Sequence, residues 1–427
     1  MNLSNYKQFA FSLLVITVLF SNMLWAQEEK KVDFKLYGFI RNDIYIDTYK
    51  GIDGAHEQYY LLPVYVGKDA NGKDINQQLS SNLTAITSRL GINVNGPDIF
   101  GAKSMANIEI DFGGVVSTEP TLIRIRKANA ALTWDKSKLL MGQDWHPFWS
   151  GDICPYVASL NTGAPFQPFN RSPQIRYDYK AGKVKLSAAA VYQLQYQSRS
   201  MQSTQNTPTQ AKRNGVVPEL IANIEYRNNA LAFGGGISHN RTKPKMTVIA
   251  SNGNKYNSTS YLNSVSYIGY ARYKTEKLTV LLKGVYGQNM SHLLLPGGYA
   301  IAQVDSITGQ EKYSNYNNFT SYLNMVYGKK WQVGFFAGIG KNFGTSDKLM
   351  VNSEGNATSA GLFYNVQDFY RISPFVALNV ANLRLMFEYE QTTANYGIGG
   401  FNSDKGLYSV VHKVSNNRLL FTMMYMF

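Results

Sequence analysis

The sequence predicts an all-β protein: a transmembrane antiparallel β-barrel of about sixteen strands with one loop folded inward. Three observations lead there. Segment after segment alternates apolar and polar side chains with a period of two. The connections switch between tight turns and long polar stretches. One stretch, 146–171, interrupts the series with prolines and aromatics where a solvated loop would carry charge.

Composition agrees. The chain has 427 residues and a net charge of +14, yet charged residues make up only 16%, against 30 Tyr and 22 Phe. A soluble enzyme of this length carries more charge and longer apolar-periodic helices. The single cysteine, Cys154, excludes an intrachain disulfide. At the N-terminus Lys7 precedes an apolar run from Phe9 to Phe20, and Ala26 precedes a charged stretch, which reads as a secretory signal cleaved after Ala26. Residues 1–26 are thus expected to be the signal peptide and 27–427 the barrel domain. After Ala26 no apolar run approaches 18 residues, so membrane-spanning helices are excluded, whereas spanning strands are not.

The strands follow in order. From Val32 to Ile46 the even positions are largely apolar and the odd positions largely charged or aromatic, the signature of a strand between two unlike solvents. Ile86, Leu90, Ile92 and Val94 oppose Thr87, Arg89 and Asn93; Ala106, Ile108 and Ile110 oppose Asn107, Glu109 and Asp111. Ile123 and Ile125 oppose Arg124 and Arg126, but Lys127 and Asn129 then fall on the isoleucine side, which a bulge or a subunit contact would explain. Residues 138–144 form the next strand, and after the proline-rich stretch Ile175, Tyr177 and Tyr179 oppose Gln174, Arg176 and Asp178. A strand over 183–197 follows, then segments near 218–226, 230–238, 260–273, 277–287, 317–328, 331–341, 367–379, 382–392 and 411–427. Tight connections at 95–102, 135–137, 181–182, 227–229, 275–276, 329–330 and 381–382 alternate with long ones, the last of them expected at 393–409. The final strand alternates to a terminal Phe427, which resembles the assembly signal of outer-membrane barrels and implies the barrel-assembly machinery as a partner.

Within 85–180 the residues carry a family resemblance. Arg89-Leu90-Gly91, Glu109 to Gly113, Leu122 to Arg126, Gly142 to Trp145, Asn161 to Pro165 and Arg171 to Tyr177 together resemble the DcaP-like porins of Gram-negative outer membranes. The resemblance implies a sixteen-stranded homotrimer in the outer membrane, in contact with lipid and lipopolysaccharide, passing small and often anionic solutes. Some members carry an N-terminal coiled-coil extension; with about seven residues between Ala26 and the first strand, none is expected here.

The candidate pore-lining residues are Arg41, Arg89, Glu109, Asp111, Arg124, Arg126 and Arg176. Their phase points them into the lumen, because an arginine facing lipid at the midplane costs about 2–4 kcal/mol. Arginines set opposite Glu109 and Asp111 would give a transverse field that favours anions. The stretch 146–171 is expected to narrow the lumen through Trp149, Asp152, Tyr156, Phe166, Phe169 and Arg171, or else to pack at a trimer contact. Tyr192, Tyr196, Tyr273 and Tyr389 are expected in interfacial girdles. The histidines at 56, 146, 239, 292 and 412 are scattered without metal-ligand spacing, and no nucleophile elbow is present. Gly338 to Gly344 superficially matches a phosphate loop but lies on an alternating strand, so its glycines are read as small residues in a wall. Neither a cofactor nor nucleic acid is implied. The leading expectation is an outer-membrane diffusion porin and not an enzyme; a barrel lipase or protease is the alternative.

Overall fold

A computed structural model describes residues 32–52, 59–114, 122–201 and 209–427. The expected signal peptide and His56 lie outside these residues. Sixteen wall strands close into an antiparallel barrel. The first six are β1 (Asp33–Asp47), β2 (in two pieces, Ser80–Thr84 and Arg89–Asn95), β3 (Lys103–Asp111), β4 (Arg124–Thr133), β5 (Ser137–Trp145) and β6 (Arg171–Ala181). Next come β7 (Val184–Val191), β8 (Glu219–Arg227), β9 (Leu231–Thr242), β10 (Leu262–Lys274) and β11 (Leu278–Gln288). The last five are β12 (Glu311–Gly328), β13 (Trp331–Thr345), β14 (Val366–Val380), β15 (Leu383–Asn402) and β16 (Leu407–Met426). Closure comes from β1, which pairs with β2 on one side and with β16 on the other, from Phe39↔Met426 to Asp47↔Arg418. Phe427 completes the seam: its N–H and C=O bond the C=O and N–H of Gly38, both at 3.0 Å.

The alternation sorts side chains between two solvents. On β1, Phe34, Leu36, Ile40 and Ile44 are exposed on the outer face, while Asp43, Tyr45 and Asp47 are buried within. On β16, Leu419, Phe421, Met423 and Tyr425 face out, and Asn416, Arg418 and Thr422 face in. An outer surface this apolar over a charged interior is that of a barrel spanning a membrane, where lipid takes the place of a core for the outward residues.

Four local expectations meet different outcomes. The phase break after Arg126 is a β-bulge: Glu109 pairs with Lys127 and Ile110 with Ile125, leaving Arg126 as the extra residue. Arg126 and Lys127 thus both point inward, and Ala128 and Ala130 return to the outer face. The long loop expected at 393–409 is instead a continuation of β15 and β16, twenty residues each, joined by a turn at 403–406. The backbone ladder runs on although Asn395, Gly397 and Gly399 break the apolar alternation on one phase, while Ala394 and Tyr396 on the other stay buried in the core. The strand expected over 183–197 ends at Val191. Tyr196 consequently leaves the wall and packs against Phe169 (centroids 6.3 Å apart) instead of joining a girdle, whereas Tyr192 and Tyr273 are exposed on the outside.

The apolar core lies inside the barrel. Tyr59, Leu61 and Leu62 from the β1–β2 connection join Phe148, Ile153, Phe166 and Phe169 from the β5–β6 connection and Leu293 to Leu295 from the β11–β12 connection, all packed on inward wall residues. The seam is tied beneath this core by Arg418, which holds Asp47 through two bonds of 2.9 and 2.7 Å, each side chain about 2% exposed. Asp47→Ala removes the carboxylate that directly bonds a buried guanidinium and is expected to destabilise the barrel by about 3–5 kcal/mol, read as a fall in the urea midpoint of the protein in detergent; an unchanged midpoint would show that the seam does not depend on this pair.

Candidate functional site: the loop across the lumen

The connection from β5 to β6 enters the barrel and is fastened to the far wall point by point. It opens with a short 3-10 turn, Pro147–Trp149, capped by His146, whose Nδ1 accepts from the Phe148 N–H. Trp149 stacks on Trp145 at the end of β5 (3.8 Å, 10°), and its carbonyl accepts from Lys283 Nζ of β11 at 2.8 Å. Asp152 pairs with Arg227 of β8 at 2.9 Å and with Arg272 of β10. Burial pushes the Asp152 carboxyl up, but Arg227 and Arg272 outweigh it and hold it below the usual carboxylate range. The carbonyl of Ile153 accepts from Tyr322 Oη, and Asn324 bonds both the N–H and the C=O of Tyr156, so β12 holds the chain at both residues.

The second half crosses to β14, β15 and β1. Glu388 of β15 accepts the N–H groups of Ala158 (2.6 Å) and Ser159 (3.2 Å), and Arg41 of β1 donates to the Ala158 carbonyl. Asn161 donates to Glu390 at 3.1 Å and turns the chain by accepting the Gly163 N–H. Gly163 sits at φ +85°, and a Cβ there would lie 2.6 Å from Pro155, so this corner requires glycine. Arg371 of β14 donates to the carbonyls of Ala164 (2.8 Å) and Leu61 (2.7 Å), joining two inward connections. Phe166, fully buried, seats against Phe336 and Phe369. Its seat exists because Gly338 of β13 has no side chain: a Cβ there would meet the Phe166 ring at 2.5 Å. Gly340 likewise leaves room for Phe369, so two of the glycines that superficially match a phosphate loop seat aromatic rings.

The arginines expected to line the pore all point inward, and the structure brings them next to acids. Arg124 holds Asp111 through two bonds of 2.9 and 2.7 Å and donates to Tyr59 Oη. Arg126 bonds Glu109 at 2.6 Å and Asp111 at 2.7 Å. Arg89 lies 3.7 Å from Glu109, Arg41 pairs with Asp43 at 2.8 Å, and Arg176 sits between Asp144 and Asp178. Glu109 and Asp111 are therefore beside the arginines on adjacent strands, not across the lumen from them. The register explains this: Asp111 pairs directly with Arg124. Arg171 differs. It is fully buried, stacks on Trp145 (4.5 Å) and Phe169 (5.3 Å), and bonds Gln195 through Nε, while its two terminal nitrogens have no partner. Beneath the loop lies a cavity of about 420 Å³ where four cations, Lys127, Arg176, Lys185 and Arg227, meet three carboxylates.

With a sixteen-stranded wall, an interior loop and a charged lumen established, the comparison with known proteins is specific. No family model matches the sequence, and no curated protein matches it. Solved structures do. The outer membrane channel DcaP of Acinetobacter baumannii superposes with a TM-score of 0.64 at 17% identity, over 94% of this chain and 99% of that one. The chain has the fold of an outer-membrane porin. The anion-selective porin from Comamonas acidovorans aligns with a TM-score of 0.53 at 11% identity (93% and 100% covered), and the trimer form of OmpT, an outer membrane protein of Vibrio cholerae, with 0.52 at 11% (93% and 100%).

In this porin barrel Trp149, Asp152, Phe166, Phe169 and Arg171 meet wall or loop partners inside the lumen, while Tyr156 is partly exposed beside Arg41 and Arg384. Burial pushes the Cys154 thiol up to about 11, which leaves it unreactive. Sequence reasoning missed Glu388, Glu390 and Arg371, although each stands on the inward phase of an otherwise apolar strand. It also missed the buried trio of His146, Glu219 and His292, whose members come from three separate segments. Phe166→Ala is expected to weaken the loop's anchoring by about 3 kcal/mol and leave the wall intact. Amide exchange over 158–168 should then accelerate about a hundredfold with wall amides unchanged; equal protection in both proteins would show that Phe166 is not the anchor.

Proposed function

We propose that this protein is a passive outer-membrane channel for small hydrophilic solutes, favouring anions and working as a homotrimer. The observation that carries the reading is the loop 146–170, tied across the lumen of a closed barrel by hydrogen bonds to β8, β10, β11, β12, β14 and β15. A passage crossed in this way selects by cross-section and fixed charge and needs no covalent step. The loop sets the cross-section. Wall side chains bond backbone groups of Trp149, Ile153, Tyr156, Ala158, Ser159 and Ala164, so the remaining passage is bounded by a rigid edge and not by a mobile segment.

The preference for anions rests on charge. The whole chain carries +14, the cavity beneath the loop is richer in cations than in acids, and Arg171 has a guanidinium without a carboxylate partner. Ion pairing of Arg124 and Arg126 with Glu109 and Asp111 reduces the field they contribute and places the remaining excess on Arg171 and the cavity cations. The Comamonas porin with this fold is anion-selective, and the OmpT barrel has a trimer form. A barrel enzyme draws no support from Ser238 in the histidine cluster: its hydroxyl donates to Glu219 Oε1 (2.5 Å), which cannot act on it as an imidazole base would.

In planar bilayers the unmodified protein is expected to conduct, with a reversal potential on the anion side; cation selectivity would overturn the anion reading, and a barrel that does not conduct would overturn the channel. Arg124→Ala combined with Arg126→Ala should move the reversal potential toward cations, because Glu109 and Asp111 then lose their counter-charges. Deleting residues within 150–168 should raise single-channel conductance. Unchanged conductance with loss of trimers would instead assign the loop to a subunit contact.

A further inference from the structure

Three buried side chains meet at one point inside the barrel. His146 begins the inward loop, Glu219 begins β8, and His292 sits in the short 3-10 turn Ser291–Leu293 between β11 and β12. Their exposures are 1%, 0% and 2%. His146 Nε2 lies 3.3 Å from Glu219 Oε1, His292 Nε2 lies 3.0 Å from Oε2, and the three donor atoms all fall within 4.8 Å of one another. These separations reach hydrogen-bond range, but among the described residues neither Nε2 is well aligned for a bond to the carboxylate, and His292 Nδ1 has no partner. Buried ring nitrogens without aligned partners are costly, and two of them set beside one carboxylate can be satisfied together by a shared occupant.

We propose that His146, Glu219 and His292 bind one divalent transition-metal ion of the zinc class. Ligands held about 2.0–2.1 Å from a tetrahedral ion stand roughly 3.3 Å apart; the carboxylate oxygens lie 3.3 and 3.0 Å from the two imidazoles, and the three donor atoms, all within 4.8 Å, need only close up around one ion. Two imidazoles and one carboxylate suit zinc, whereas calcium and magnesium call for a shell of oxygens. The carboxylate is already oriented from behind: Ser238 Oγ donates to Oε1 at 2.5 Å and Gln193 Nε2 to Oε2 at 3.3 Å. One contact opposes the ion. The Phe148 N–H reaches His146 Nδ1 at 3.2 Å, and a metal on Nε2 moves the imidazole proton to that nitrogen. One long neutral hydrogen bond is a small loss against three coordination bonds.

The position gives the ion a structural task. Phe169 N–H donates to the Leu293 carbonyl at 2.8 Å and Asn170 Nδ2 to the His292 carbonyl at 2.7 Å, so the end of the inward loop rests on the same turn that meets its beginning. An ion there clamps both ends of the loop to each other and to β8. The fourth coordination position is left to a small ligand.

The test is metal content of the full-length protein in detergent, stripped with chelator, dialysed against zinc and assayed by mass spectrometry. The expected result is about one zinc per chain, falling to near zero in Glu219→Gln and in His292→Gln, and unchanged in His239→Ala, a histidine outside the cluster. Heat-shifted electrophoretic mobility confirms that each variant is a folded barrel. Should the variants not fold, cobalt substitution in the unmodified protein decides: a tetrahedral cobalt absorption supports the site, and its absence overturns it. Zinc that stays bound in folded Glu219→Gln, or an unmodified protein that holds none, also overturns the proposal. The metal count stands apart from conductance, so its failure leaves the channel reading untouched.

Discussion

The absence of water in the hydrocarbon layer governs this molecule. A backbone group left unpaired there costs several kcal/mol, so the strands must close on themselves, and the seam between β1 and β16 is where closure is decided. Once the wall is a closed ladder of strands, successive side chains have only two places to go. Apolar residues go to lipid, and every charge at membrane depth goes to the lumen. The crowding of guanidinium groups and carboxylates within the barrel follows from the ladder before any selection for transport enters. Pairing follows too: Arg124 with Asp111 and Arg418 with Asp47 are neighbours on adjoining strands, and an unpaired charge at such a buried position costs more than the pair gains.

The same constraint relocates the core. Lipid solvates the outer residues, so segments that must hide apolar side chains from water can do so only inside. The β5–β6 connection takes that route, and its backbone, lacking a strand partner, is satisfied by wall side chains instead. Glu388, Asn324, Tyr322, Lys283 and Arg371 serve this purpose on successive strands. Glycine at 338 leaves the space Phe166 fills. A loop held at so many points is as well determined as the wall, and Phe169 and Asn170 fasten its end to the Leu293 and His292 carbonyls.

Much of this was legible in the residues. The alternation of Phe34, Leu36, Ile40 and Ile44 against Asp43 and Asp47 marks both faces of β1, and the lapse at Lys127 marks the bulge at Arg126. The prolines and aromatics of 146–171 mark a segment that packs instead of floating. Other features were not legible, for identifiable reasons. The ladder of β15 and β16 continues past 393, but Asn395, Gly397 and Gly399 interrupt the apolar alternation there, so hydropathy carries little signal even though Ala394 and Tyr396 stay buried. Tyr196 has the phase of a girdle residue, yet the strand stops at Val191 and the ring turns inward. Arg124 and Arg126 read as lumen cations set opposite Glu109 and Asp111, since the register that puts Asp111 beside Arg124 depends on a turn and a bulge.

By itself the sequence determined the class of fold, the strand count, the faces of the wall and the segment that enters the lumen. All of these follow from local period and composition, which act over a few residues. The tertiary structure alone decided which charges pair, where the inward loop is fastened, and that His146, Glu219 and His292 meet. Those outcomes depend on closing the ring, which brings β8, the β5–β6 loop and the β11–β12 connection to one point; residues 73 positions apart become neighbours only once the barrel is round.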